Sequence, residues 1–279
     1  MSVVLLIWSG FALTVRAVGA SSLSIADGML IRFRVPLVLL TPWMLSSWHD
    51  IKNIRLPDIL FILFGGVPFL LLAAFGASTV PAAYMGTILT GTPVFFAALL
   101  SFILYRQRIS LRKFTSLILI LFGIATMIGG HAQEILNSLL YGVGLLLLAS
   151  LIWAGYTLGL KSTTLTPIAI AIVLSYTSFF LTLVMVLSGM MDTNIGSVSF
   201  DEVLPFILIQ GLGVGVVSTI AFSYAVKQLG SIRTLLLGSL SPGLTAILAA
   251  LILKESLSVI MICGIALSTI GVILSNRAK

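Results

Sequence analysis

Cysteine, histidine and charge are all scarce in this sequence, and each shortage closes off a class of chemistry. A single cysteine, Cys263, leaves no intramolecular disulfide and no thiolate metal cluster. The two histidines, His49 and His131, fall in predicted connections, so the chain has no metalloprotease His-Glu-x-x-His helix and no histidine cluster. It also lacks a P-loop. The glycines of Gly211-x-Gly213-x-Gly215 and Gly155-x-x-x-Gly159 lie within apolar runs with no strand before them, which is the pattern of close helix packing, not of a nucleotide loop. Charged residues make up only 8 % of the chain, against about 25 % in an ordinary soluble domain. All eight acids sit at span ends or in connections, which supplies no catalytic carboxylate pair and disfavours a mid-membrane proton carrier, leaving only Asp27, Asp58 or Glu255 to reach inward from an end. The chain therefore reads as a non-enzyme with no cofactor and no metal.

What fills the sequence instead is apolar: 59 % of the 279 residues are hydrophobic and the mean hydropathy is +1.21. A membrane helix needs about 20 residues, so ten spans consume roughly 200 and leave room only for short connections and tails. The runs 59–105, 135–160, 162–191, 203–226, 234–253 and 256–276 carry no Lys, Arg, Asp or Glu. The longest breaks at Gly76-Ala-Ser-Thr-Val-Pro81, a small-residue turn, and so reads as two helices. The predicted spans are 2–20, 30–48, 58–76, 80–104, 112–130, 138–159, 165–189, 203–225, 232–253 and 257–275. The first lacks a cationic n-region and a cleavage pattern and reads as a retained helix.

A net charge of +7 would suggest nucleic acid in a soluble protein, but here its distribution follows the positive-inside rule. With a cytoplasmic amino terminus, the inner connections and tail hold eleven of the fifteen cations, among them Lys52, Arg55, Lys161, Lys227 and Arg233. The other side keeps Arg16, Arg32, Arg34 and Lys254, and collects Asp27, Glu134, Asp192, Asp201, Glu202 and Glu255. The expectation is a multi-pass protein of the cell (inner) membrane with both termini cytoplasmic. Its partners are then the lipid bilayer and a small-molecule substrate, with no nucleic acid and the oligomeric state left open.

The chain also repeats itself. Ile7-Trp8-Ser9-Gly10-Phe11-Ala12-Leu13-Thr14-Val15-Arg16 matches Ile152-Trp153-Ala154-Gly155-Tyr156-Thr157-Leu158-Gly159-Leu160-Lys161 at an offset of 145. At the same offset Phe61-Ile62-Leu63-Phe64-Gly65-Gly66 meets Phe206-Ile207-Leu208-Ile209-Gln210-Gly211, and further on Thr92-Pro93 corresponds to Ser241-Pro242. Five spans per copy is an odd number, so the second copy starts on the opposite side of the membrane and lies inverted. The fold class expected is thus all-α: ten transmembrane helices in two inverted five-helix repeats, 1–131 and 138–279. Such folds bind substrate near the midplane between the repeats and expose it to each side in turn.

In these features the sequence resembles the ten-span, EamA-type members of the drug/metabolite transporter superfamily. The resemblance rests on Trp-x-Gly-aromatic in the first and sixth spans, Pro93 and Pro242 in the fourth and ninth, and Lys254-Glu255-Ser256-Leu257-Ser258 before the tenth. One departure is Arg106-Gln107-Arg108, where the family often has an acid. The resemblance implies a secondary transporter, an exporter of a small organic metabolite such as an amino acid, with a lipid scramblase or a non-catalytic membrane subunit as the alternative. Facilitated transport or exchange suits the missing carboxylate.

Arg16 lies two helical turns beyond Trp8 on one face with Ala12, from which it would meet a substrate carboxylate or snorkel to the interface. Lys161 repeats it below Trp153 and Thr157. Arg32 and Arg34 read as anchors of the second span. Trp8, Trp153 and Tyr156 are candidates for stacking on substrate, or members of an interfacial belt. Gln210 stands where the first copy has Gly65, and a buried amide needs partners or a wet cavity. Tyr84 and Tyr224, with the hydroxyls of Thr90, Thr92, Ser239 and Ser241 beside the span prolines, are candidates to line the path. The substrate-binding set expected is Trp8, Arg16, Tyr84, Trp153, Tyr156 and Gln210.

Overall fold

The computed structural model describes residues 2–18, 21–106, 110–129, 136–238, 241–252, 254 and 258–277, with some side chains within those ranges left out. Among the described residues every regular element is helical. They are α1 (Ser2–Val18), α2 (Ile25–Lys52), α3 (Leu56–Phe64), α4 (Val67–Ala77), α5 (Ala82–Gly91), α6 (Pro93–Tyr105), α7 (Leu111–Gly129), α8 (Leu136–Ser162), α9 (Pro167–Leu187) and α10 (Phe200–Phe206). A π-helical segment (Ile207–Ser218) follows, then α11 (Thr219–Leu229), α12 (Ser231–Gly238), α13 (Ser241–Ile252) and α14 (Val259–Arg277).

Seven helical stretches among the described residues are long and apolar enough to cross a bilayer, including Ile25–Lys52, Asn137–Ser162 and Phe200–Leu229. Three shorter apolar helices, Val3–Val15, Phe114–Gly123 and Val259–Gly271, fall at the predicted first, fifth and tenth spans. The chain is an all-α membrane protein. α2 packs along α9, α7 along α14, and α5 against α13, while α1 lies on the π segment and α4 on α8.

Several of the predicted spans are not simple helices. The third breaks at Gly65-Gly66, where Gly66 takes φ −97° and ψ −128° and Pro68 sits in the first turn of α4. The fourth breaks at Thr92, because Pro93 opens α6 and has no N–H to give Leu89. The eighth widens into the π segment around Gln210-Gly211. Proline announced the second of these. The π segment carries no proline and was not foreseen; close packing accompanies it, for a Cβ on Gly211 would meet Val35 at 2.5 Å and one on Gly215 the Arg32 carbonyl at 2.7 Å.

Two polar clamps fix the ends. Ser24 and Asp27 form a capping box on α2, the Asp27 backbone N–H donating to Ser24 Oγ (3.1 Å) and the Ser24 N–H to Asp27 Oδ2 (2.8 Å). The fully buried Asp27 carboxylate also accepts from the Thr193 hydroxyl and the Asn194 N–H, tying the loop after α9 to the start of α2. Glu202 accepts from the Ser22 N–H at 2.8 Å, which sets the start of α10 on that same face. On the opposite face Lys227 Nζ donates to Thr163 O and Ser231 Oγ to Thr157 O, both at 2.8 Å, holding the α11–α12 turn against the end of α8.

A Cβ on Gly66 would lie 2.2 Å from Ser178 Oγ and 3.2 Å from Leu63 O, whereas one on Gly144, midway along α8, meets nothing within 4 Å. Gly66→Val should therefore destabilise by about 1–3 kcal/mol through overpacking. Gly144→Ala should be neutral or stabilise by up to about 1 kcal/mol through lost backbone freedom. Thermal unfolding of the two variants in detergent tests the contrast.

Candidate functional site: an aromatic cavity between two vestibules

Trp8 and Trp153, the two tryptophans that the repeat relates, meet edge to face at the centre of the bundle with ring centroids 5.9 Å apart. Phe222 of α11 closes on both, at 5.1 Å from Trp8 and 5.4 Å from Trp153. Tyr156 lies 4.9 Å from Trp153 and Phe69 of α4 lies 4.8 Å from it, with Phe69 stacked in turn on Phe11. The Trp8 indole N–H donates to Ser218 Oγ at 2.8 Å, so its polar edge is satisfied inside the protein and points to no interface. Glycines make room for these rings: a Cβ on Gly65 would come 2.8 Å from the Tyr156 ring, and one on Gly238 2.7 Å from Trp8.

These rings line a small cavity of about 40 Å³, together with Arg32, Thr90 and Ser218. That holds little more than a water. Toward the α1–α2 face, one step along α1, α4 and the π segment, a vestibule of about 280 Å³ is lined by Val15, Ser24, Met29, Leu70, Ala74 and Gln210. Toward the opposite face, beyond Tyr156 on α8, a more open vestibule of about 340 Å³ is lined by Ser101, Lys161, Ser162, Ser231 and Arg233.

A polar chain separates the cavity from the first vestibule. Arg32 Nη1 donates to Gln210 Oε1 at 3.2 Å, and Gln210 Nε2 donates to Thr14 Oγ1 at 2.7 Å. Arg32 is only 5 % exposed, and its Cζ stands 4.9 Å from the Phe11 ring centroid. Among the described residues it has no carboxylate partner; the ion pair found among them is the exposed His49–Asp50 contact. Burying a charge costs several kcal/mol even after relaxation. One hydrogen bond from a charged group contributes about 1.5–3 kcal/mol and a cation–π contact about 0.5–2 kcal/mol. The guanidinium has five N–H donors and one of them is engaged here.

The sequence-derived set is thus brought together in part. Trp8, Trp153 and Tyr156 line the cavity, and Gln210 lies at its boundary. Tyr84 is fully buried in α5 and lines none of the three spaces. The Arg16 side chain lies outside the described residues, as does Ser239. Lys161 faces the second vestibule, and Tyr224 is exposed. Arg34 is exposed as an anchor would be, but Arg32 is not an anchor at all. Residues two apart on a helix point about 200° from each other, so Arg32 and Arg34 cannot share a face. Met29, Phe33, Pro36 and Leu40 form the buried stripe of α2, and Arg32 falls within it. That spacing was the available signal. Phe11 was marked as the aromatic of the first Trp-x-Gly-aromatic motif, whereas Phe69, Ser218 and Phe222 carried no signal, being apolar or small residues in apolar helices.

A helical membrane protein with an aromatic and cationic centre between two vestibules is the class that these features define. The chain carries a domain of the EamA-like transporter family, whose model matches residues 140–277. That second half of the chain is accordingly of the drug/metabolite transporter type. Among solved structures, one crystal structure aligns over 98 % of this chain and 95 % of its own length, with a TM-score of 0.68 at 17 % identity, a likeness of fold that takes in the first half as well. No curated protein matches the chain by sequence.

Gln210→Leu removes the acceptor from Arg32 and the donor to Thr14, and should cost about 1.5–3 kcal/mol of stability in detergent. Gln210→Glu retains an acceptor for Arg32 and should lose less, so the order of their melting temperatures checks the chain.

Proposed function

We propose that this protein is a secondary transporter that moves a small organic metabolite, such as an amino acid or a related compound, by alternating access. The observation that carries the reading is the aromatic cavity at the centre of the bundle with a vestibule toward each face. At about 40 Å³ it is smaller than such a solute, so the rings of Trp8, Trp153 and Phe222 must part to admit one from either vestibule, as alternating access requires.

In this reading the three shorter apolar helices also cross the membrane, giving ten spans in two inverted units, 1–131 and 138–279. Three features support the inversion. Trp8 and Trp153 face each other at the centre. Second span packs on seventh, fourth on ninth and fifth on tenth. The backbone departs from a regular α-helix at Gly65-Gly66 and again at Gln210-Gly211, the same place in each copy. The positive-inside distribution sets both termini in the cytoplasm of a cell with an inner membrane, so the vestibule with Lys161 and Arg233 opens inward and the one with Ser24 outward. Export is the direction proposed; the drive is the solute's own gradient or exchange, because no carboxylate among the described residues lines the cavity.

The test is flux in proteoliposomes with a panel of radiolabelled amino acids and related metabolites. At least one solute should cross saturably, and Trp153→Ala should slow it about tenfold or more, equivalent to about 1.4 kcal/mol of lost interaction. Absence of saturable flux for the whole panel, together with accelerated lipid exchange, would replace this reading with lipid scrambling.

A further inference from the structure

Resting on the transport reading, we propose that Arg32 is the substrate-recognition residue and that the cargo is an organic anion: an apolar or aromatic body carrying a carboxylate. The guanidinium lines the cavity, faces no acid among the described residues, and has four of its N–H groups without a bond to the protein. The neutral Gln210 amide holds it from the side of the first vestibule, orienting the fork without neutralising it. Phe11 stacks beside it at 4.9 Å, which fixes its plane and keeps water from one face. A buried guanidinium so oriented is a bidentate carboxylate receptor awaiting its counter-charge.

The rest of the cavity specifies the rest of the ligand. From Arg32 the wall runs through Phe11 and Phe69 to Trp153, Trp8 and Phe222, so a carboxylate on the guanidinium directs the remainder of the molecule onto rings. Ser218, Thr90 and the Tyr156 hydroxyl are the polar groups within reach of a second substituent. The second vestibule adds two cations, Lys161 and Arg233, and among the described residues no carboxylate lines it, so it concentrates anions at its mouth. A cation meets two positive centres in succession on this route, and an uncharged solute leaves Arg32 unpaired.

Binding to the purified, detergent-solubilised protein tests this with phenylacetate, phenylacetamide and phenethylamine, read by the fluorescence of Trp8 and Trp153 and by thermal shift. Phenylacetate should bind at least tenfold tighter than phenylacetamide, and phenethylamine weakest. Arg32→Gln should bring the ratio of phenylacetate to phenylacetamide affinity to within about twofold of one, and Arg32→Lys should keep part of the preference. Equal binding of acid and amide to the unmodified protein, a preference that survives Arg32→Gln, or no binding of any of the three would overturn the proposal. The first comparison needs no variant, so a misfolded Arg32 substitution cannot protect it. Saturable flux of some neutral solute alongside any of these results would leave the transport reading standing and sink only the anion assignment.

Discussion

The constraint on which the rest of this structure depends is that a bilayer interior offers no water to a backbone amide. Every N–H and C=O must then be paired within its own helix, and irregular backbone is tolerated only where protein surrounds it or a cavity wets it. The breaks at Gly65-Gly66 and Thr92-Pro93 and the π segment obey this: Gly65, Gly66 and Thr92 are buried, and Leu89, Val214 and Ser218 beside these irregularities line the central cavity. The fold concentrates its departures from the α-helix at the one place where they can be satisfied. The same place is where helices can bend and where a solute can be held.

Side chains follow the same rule. Many hydroxyls bond back to their own helix, as Thr157 does to Trp153 O and Thr182 to Ser178 O, while those of Ser178, Ser241 and Thr245 are buried without a partner among the described residues. Among the described residues long-range polar contacts recur at two kinds of location, with a few more, such as Ser150 to Ile88 O and Thr41 to Tyr176, tying helices together between them. At the ends they clamp turns, as with Asp27 to Asn194 or Lys227 to Thr163. At the centre they hold Arg32, Gln210 and Thr14 in a line between the outer vestibule of the proposed orientation and the aromatic cavity. The central line joins α1, α2 and the π segment, so any movement that opens the vestibule to the cavity must break or rotate it. Phe11 and Phe69, stacked at the same level, form the apolar half of the same barrier.

Much of this was legible before any coordinates. Composition established the solvent, and the charge-free runs placed the spans, including the turn between 76 and 81, where α4 ends at Ala77 and α5 begins at Ala82. The recurrence of Ile-Trp-x-Gly-aromatic marked Trp8, Trp153 and Tyr156, and all three line the cavity. Gln210 stood out because an amide in an apolar helix needs a partner, and it has two. The same reasoning misplaced Tyr84, whose hydroxyl resembled that of a lining residue but whose ring is packed away within α5. It also misread Arg32: cations near a predicted span end usually reach the interface, and only the 200° between positions 32 and 34 argued otherwise.

The sequence by itself determined that this is a helical membrane protein, where its helices run, and which sparse polar residues lie among them, because in a medium without water these follow from local composition and length. The tertiary structure alone decided which faces meet. In helices that are apolar nearly all round, periodicity does not set rotation, and rotation depends on side chains contributed by other segments: the glycines at 65 and 238 that admit Tyr156 and Trp8, and the π segment that carries Gln210 to Arg32. The cavity exists only where those rotations coincide, which is why its rings and its cation, drawn from α1, α2, α4, α8 and α11, could not be assembled from any single stretch of chain.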